Sequence, residues 1–299
     1  MIDRDRARSR RAAVKNVKNV KNVKNVKNVK DVKQRSGLLI AAALVLMCAA
    51  GCANPGAGRV VPAGTSQPDQ FLYEQGMQAL AKEKWLTARE YFKSLNETYV
   101  QSPLRPDAKL GVGDTYIGEG GGDSLVLAIN EFREFLSFYP LNRRADYAQY
   151  RLAYAHFRQM RGAPRDQTET RDAIREFEVF IERYPRSTYL SEVKERLREA
   201  KDRLAQSEFL TGRFYYQTAK YYPAAIARFN TLLKEDPEFT GRDAVYFYLG
   251  ESLVKINRAA EALPYFEKLV QEFEKSEYLD KARERIDALK AQADARSRL

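Results

Sequence analysis

The stretch Ala244–Phe273, AVYFYLGESLVKINRAAEALPYFEKLVQEF, decides how the chain folds. Its apolar and small residues recur at helical spacing: Tyr246, Leu249, Gly250 and Leu253 in one run, Ala262 and Phe266 in the next, with Asn257 supplying a turn between them. Two antiparallel helices that cross at Gly250 and Ala262 can approach to roughly 8–10 Å, because a small residue on each leaves room for the other backbone. Tyr246, Leu253 and Phe266 then fill the space around the crossing. One such hairpin cannot bury its apolar face alone, so stacked copies are expected.

With Tyr246 as the fourth position, Gly250 is the eighth, Ala262 the twentieth and Phe266 the twenty-fourth, which is the tetratricopeptide-repeat spacing. Working outward, residues 70–102 place Gly76, Ala88 and Phe92 at those positions, with Trp85 expected over the turn. Residues 106–140 end in Ala128, Phe132 and Pro140, but GEGGGD at 118–123 is expected to weaken the first helix and form a flexible turn. A phosphate-cradling loop would need GxxxxGK[ST] after a strand, and neither the Lys nor the strand is there. Residues 145–185 form a third unit, with MRGAPRDQTETR at 160–171 read as a long loop that carries a contact or is disordered. A charged helix from Tyr189 runs through Phe209 and Gly212 into a fourth unit, 205–237, where Tyr216, Pro223, Ala225, Phe229 and Pro237 keep the spacing. The fifth unit is 243–274, in which Pro264 conflicts with the second helix by deleting a backbone bond. Residues 278–299 read as a capping helix. The expected fold is all-α: a tetratricopeptide-repeat solenoid of about five helix-turn-helix units over 70–299, with a C-terminal capping helix.

The formal charge of +11 is unevenly placed. Residues 1–35 hold seven Lys and six Arg against three Asp, a net +10, and residues 36–51 are uncharged, which leaves +1 for the rest. The body therefore has no basic excess to attract a phosphate backbone, and a nucleic-acid partner is not expected. The leader repeats Val-Lys-Asn at period three, matching neither helix nor strand; it reads as low-complexity sequence that is an overlong signal n-region, the product of a start placed too far upstream, or a basic arm. Gly37–Gly51 is apolar, too short to span a membrane comfortably, and has the length of a secretory h-region. Ala49, Ala50 and Gly51 precede Cys52, resembling a bacterial lipobox with Ala where Leu is usual, whereas Cys48 follows the bulky Met47. Residues 1–51 are thus read as a basic leader plus lipoprotein signal peptide and Cys52 as the acylated residue, its acyl chains, palmitate among them, being the only group attached. Three chains exceed what stable anchoring takes. Ala53 follows in place of the Asp that signals inner-membrane retention, which favours the outer membrane, periplasmic face. Residues 52–69, rich in Gly, Pro and small polar residues, read as a flexible tether.

No catalytic pattern stands out. His156 is the single His and reads as a packed or hydrogen-bonded residue, since no second His or Cys completes a site. Forty carboxylates in a helical array read as solvated faces. No cofactor, no metal and no enzymatic activity are expected; the work is expected to lie in surfaces that hold other proteins.

The run 186–237, with Leu204-Ala205 and Glu208, the pair Tyr215-Tyr216, and Ala224-Ala225 with Arg228, resembles the BamD family, lipid-anchored tetratricopeptide components of the β-barrel assembly machine of Gram-negative outer membranes. Pro140, Asn142 and DYAQY at 146–150 also fit, and the likeness covers about residues 70–290 plus the lipobox. It implies a scaffold in the Bam complex. C-terminal units would dock the POTRA portion of a BamA-type barrel protein, with Arg228, Tyr215 and Tyr216 as partner-contact candidates, alongside other Bam lipoproteins. N-terminal units would bind the aromatic-ended C-terminal segment of unfolded outer-membrane proteins, with Tyr73, Tyr91, Tyr116 and Tyr150 as candidates, each of which also fits a repeat-core position. The alternative is a tetratricopeptide lipoprotein coordinating cell-envelope or peptidoglycan processes.

Overall fold

A computed structural model describes residues 61–297. The leader, Cys52 and the tether up to residue 60 lie outside the described residues. Within them are eleven helices and no strand. Paired by unit they are α1 (Pro68–Ala81) with α2 (Trp85–Thr98), α3 (Arg105–Glu119) with α4 (Gly122–Phe138), α5 (Ala145–Gln159) with α6 (Thr168–Arg183), α7 (Leu190–Gln217) with α8 (Tyr222–Glu235), and α9 (Arg242–Lys255) with α10 (Ala259–Glu272). The last is α11 (Leu279–Ser297). Pro68 opens α1, since a helix's first turn needs no N–H from it, so the body starts two residues inside the stretch read as tether.

Each helix packs on its neighbours in sequence, and each unit's first helix also touches the next unit's first helix: α1 on α3, α3 on α5, α5 on α7, α7 on α9. Second helices have no comparable mutual packing. The first-helix layer is therefore the tighter one.

The core repeats unit by unit. Ala88, Ala128, Ala173, Ala225 and Ala262 are fully buried, as are Phe92, Phe132, Phe177, Phe229 and Phe266. The small eighth residue makes room for the Phe ring rather than for the Ala expected opposite it. A Cβ on Gly76 would lie 2.5 Å from Phe92, on Gly212 2.5 Å from Phe229, and on Gly250 2.7 Å from Phe266. Burying each ring contributes about 2–3 kcal/mol.

The second unit corrects the expectation drawn from its glycines. α3 is a full helix, and the turn is only Gly120 and Gly121, at φ 72° and 79°, a backbone region that costs glycine nothing. Gly111 and Gly113 inside α3 admit Phe92 and Phe132, with Cβ positions that would fall 2.6 Å from each ring. Trp85 packs on Gly118 beside that turn. The long loop of the third unit is ordered: the buried Gln167 side-chain amide donates to the carbonyls of Gly162, Ala163 and Arg165, and α6 starts at Thr168, inside the span read as loop. α10 runs unbroken through Pro264. α7, at 28 residues, spans the third and fourth units as one helix: Val193 belongs to the core of the third, Ala205 and Phe209 to that of the fourth and fifth.

Candidate docking surface

The α5 sequence ADYAQYRLAYAHFRQ places Tyr147, Arg151, Tyr154 and Arg158 at spacings of four, three and four, one face of a helix. That face lies in the first-helix layer and, with Leu80 and Trp85 from the first unit and Asp114 and Ile117 from α3, lines a cleft of about 430 Å³. Asp114 is its charged centre. Its carboxylate accepts the Tyr147 hydroxyl at 2.8 Å and lies 2.8 Å from Arg151 Nε. Burial raises the Asp114 carboxyl above its ordinary value, against the pull of Arg151 and Tyr147. Burial and the Asp114 charge together raise the Tyr147 hydroxyl well above its own. The guanidinium planes of Arg144 and Arg196 lie over Tyr147 and Tyr154, at 4.5 and 4.6 Å from the ring centres. The surface thus alternates guanidinium planes with phenol rings, a chemistry suited to aromatic and carboxylate groups of an extended peptide.

The named tyrosines sit beside this cleft rather than in it. Tyr150 is buried, stacks on Tyr189 at 5.2 Å and donates to Glu192 at 2.7 Å; burial and that carboxylate push its hydroxyl up to about 12. Tyr116 is buried beneath Arg89, whose guanidinium carbon is 3.7 Å from the ring centre. Tyr73 and Tyr91 are half-buried, Tyr73 against Phe92. Tyr147 and Tyr154, half-buried like Tyr73 and Tyr91, are the tyrosines that line the cleft, and the helical spacing in α5 was the signal that could have singled them out.

In the fourth and fifth units, Arg228 is half-exposed and 3.5 Å from Glu208. Tyr215 is half-buried and packs edge-on to Phe214. Tyr216 packs on Tyr222 and Tyr248, and burial with the nearby Glu251 pushes its hydroxyl up to about 12. Glu251 is buried and takes a two-pronged contact from Arg285 of α11 at 2.5 and 2.9 Å. Arg228 and Tyr216 therefore occupy different faces of one region, the first open to solvent and the second tied into the packing.

His156 is buried, with Nδ1 2.8 Å from Glu169. Asp172 brings a third potential ligand atom within 4.8 Å, and its carboxylate already pairs with Arg175 at 2.6 Å. Among the described residues no helix is long and apolar enough to cross a membrane.

Comparison with known proteins matches residues 65–251 to the YfiO model, described as an outer membrane lipoprotein, and residues 244–276 to a tetratricopeptide repeat. The chain belongs to the YfiO family of outer membrane lipoproteins. It is 28% identical over 228 residues to a Caulobacter vibrioides protein named outer membrane protein assembly factor BamD, covering 76% of this chain and 73% of that one. A Vibrio cholerae protein of the same name is 26% identical over 57% of this chain and 73% of its own. Among solved structures, a MamA protein is similar at TM-score 0.36 and 19% identity, over 70% of this chain and 93% of that chain. The YfiO match begins before α1 and ends within α9, so the matched span includes both the Arg–Tyr cleft and the Arg228 region.

Proposed function

We propose that this YfiO-family chain is a non-catalytic, lipid-anchored scaffold in outer-membrane protein assembly, held at the periplasmic face of the outer membrane by acyl chains on Cys52. The observation that carries the reading is the YfiO match across four repeat units, together with relatives from several bacteria that bear the name of an assembly factor. In this reading the fourth and fifth units dock a POTRA-bearing barrel protein through the half-exposed Arg228 and the neighbouring Tyr215, with other lipoproteins of the complex alongside. The Arg–Tyr cleft of the first three units receives the C-terminal segment of an unfolded outer-membrane protein. Its guanidinium-stacked rings suit an aromatic terminal residue, and its arginines suit the terminal carboxylate.

Affinity capture from detergent-solubilised envelopes tests this: a large barrel protein with POTRA domains should be recovered, and less of it with Arg228→Glu. Recovery of peptidoglycan-binding or Tol–Pal proteins alone would move the chain to the envelope-coordination alternative. For the anchor, Cys52→Ser should shift the protein from the membrane to the soluble fraction. Unchanged fractionation removes the acylation from the reading.

A further inference from the structure

In the first three units each second helix ends, and the following first helix begins, at one edge of the stack. Side-chain bonds mark it: Ser102 Oγ donates to Asp69 at 2.6 Å, and Ser187 Oγ to Asp146 at 2.7 Å. The chain enters α1 at this same edge. Here lie the two most exposed large apolar side chains among the described residues, Leu141 at 97% and Phe138 at 67% exposure, with Val100 on the preceding turn at 55%. Between the second and third of these turns lies a cleft of about 430 Å³ whose lining includes Arg143, Arg183 and Arg186. Its one acid, Asp146, is occupied by Ser187, while Glu182 lies exposed next to Arg183. The corresponding cleft at the last inter-unit turn has the opposite character, lined by Asp243, Glu272 and Glu274 with a single Lys275.

We infer that the edge carrying Leu141 and Phe138 rests on an anionic phospholipid surface, the two side chains entering the acyl boundary and the three arginines meeting headgroup phosphates. An apolar tip ringed by guanidinium groups is the chemistry of interfacial binding. The occupant is indicated by continuity: fifteen residues separate Cys52 from Pro68, a reach of at most about 55 Å, so an anchored chain keeps the start of α1 at this edge within that distance of the bilayer. That last argument rests on the proposed acylation, and the test is therefore run without it.

The chain from residue 53 onward, which contains the whole folded unit and no cysteine, is mixed with vesicles of three parts phosphatidylethanolamine to one part phosphatidylglycerol, or of phosphatidylcholine alone. It should sediment with the anionic vesicles, and Arg183→Glu and Arg186→Glu should each lower the partition coefficient about fivefold or more. Leu141→Asp should abolish binding; because the side chain is fully exposed, the variant should keep wild-type helical content. Trp85 is the only tryptophan and lies at the opposite edge, about 20 Å away along α2. In Leu141→Trp the new tryptophan should be quenched by brominated acyl chains while Trp85 in the parent is not. A chain that stays in the supernatant overturns the inference, as does quenching of Trp85 alone. Such a result, with the barrel protein still captured from envelopes, would leave the proposed function standing.

Discussion

Gly250 has no space for a methyl group, since a Cβ there would lie 2.7 Å from the Phe266 ring, and both residues are fully enclosed. Gly250→Ala should therefore destabilise the protein by about 1–3 kcal/mol, and Phe266→Leu should recover part of that loss in the double variant. Chemical denaturation of the four proteins measures the coupling; additive effects would mean the ring is not what the glycine accommodates. A second residue-scale expectation concerns Glu192, whose carboxyl is held below its ordinary 4.5 by the Tyr150 hydroxyl and then by Arg196. A depressed carboxyl contributes stability that is present above pH 4.5 and lost as the pH falls through its folded value. The melting temperatures of wild type and Glu192→Gln should thus differ most near pH 7 and converge as the pH falls below 4.5 through the folded value. At this scale the repeat positions were legible because a ring fitting a gap demands a fixed spacing. The partner of each glycine was not, because an Ala and a Phe four residues apart lie on the same face of the second helix. The ion-paired residues of the cleft escaped for a related reason: Asp114 and Arg151 are 37 positions apart and meet only when two units stack.

Turns between the paired helices repeat one device with unequal residues. Glu83, Lys220 and Asn257 stand at φ 56°, 50° and 62°, and at Glu83 its own N–H and the next close on the α1 carbonyls, Glu83 to Leu80 at 3.0 Å and Lys84 to Ala79 at 2.9 Å. This is the helix ending that favours glycine and tolerates asparagine. Glu83→Gly should accordingly stabilise by about 0.5–1 kcal/mol, whereas Asn257→Gly should change little. Thermal melts of the two variants make the comparison, and an equal effect at both positions would argue against backbone strain as the cause. Asn257 was readable as a turn because its residue type announces it. Glu83 was not, since a charged residue there is held by the helices on either side. The same logic explains two further departures. Glycines at 118–123 looked like a weak helix followed by a loose turn, yet Gly118 is there to admit Trp85 and only Gly120 and Gly121 turn the chain. The 160–167 loop is ordered by one buried glutamine, and a Gln in a polar stretch gives no sign that it will turn inward.

The folded unit has a core that passes from one cluster to the next along the stack, so its ends are the places where apolar surface would otherwise be open. At the C-terminal end α11 covers that surface. Ala282 is fully buried, Ile286 and Leu289 pack on the fifth unit, and Tyr278, just before the helix, stacks on Phe247 at 4.8 Å. The polar half of the contact is Arg285 on Glu251, and through Glu251 it reaches Tyr216 of α7, so the cap, the fifth unit and the end of the long helix share one network. Arg285→Ala should leave the buried Glu251 carboxylate short of its main partner and cost about 1–3 kcal/mol. Ending the chain after residue 278 should cost more, roughly 3–5 kcal/mol from the apolar contacts of Ile286, Leu289 and Ala282 together, and lower the melting temperature by about 10 °C. Because neighbouring units couple only to one another, that loss should be confined: hydrogen exchange should accelerate in α9 and α10 while the amides of α3 to α6 keep their protection. Uniform acceleration along the whole chain would mean that the stack unfolds as one block and that α11 is more than an end cap.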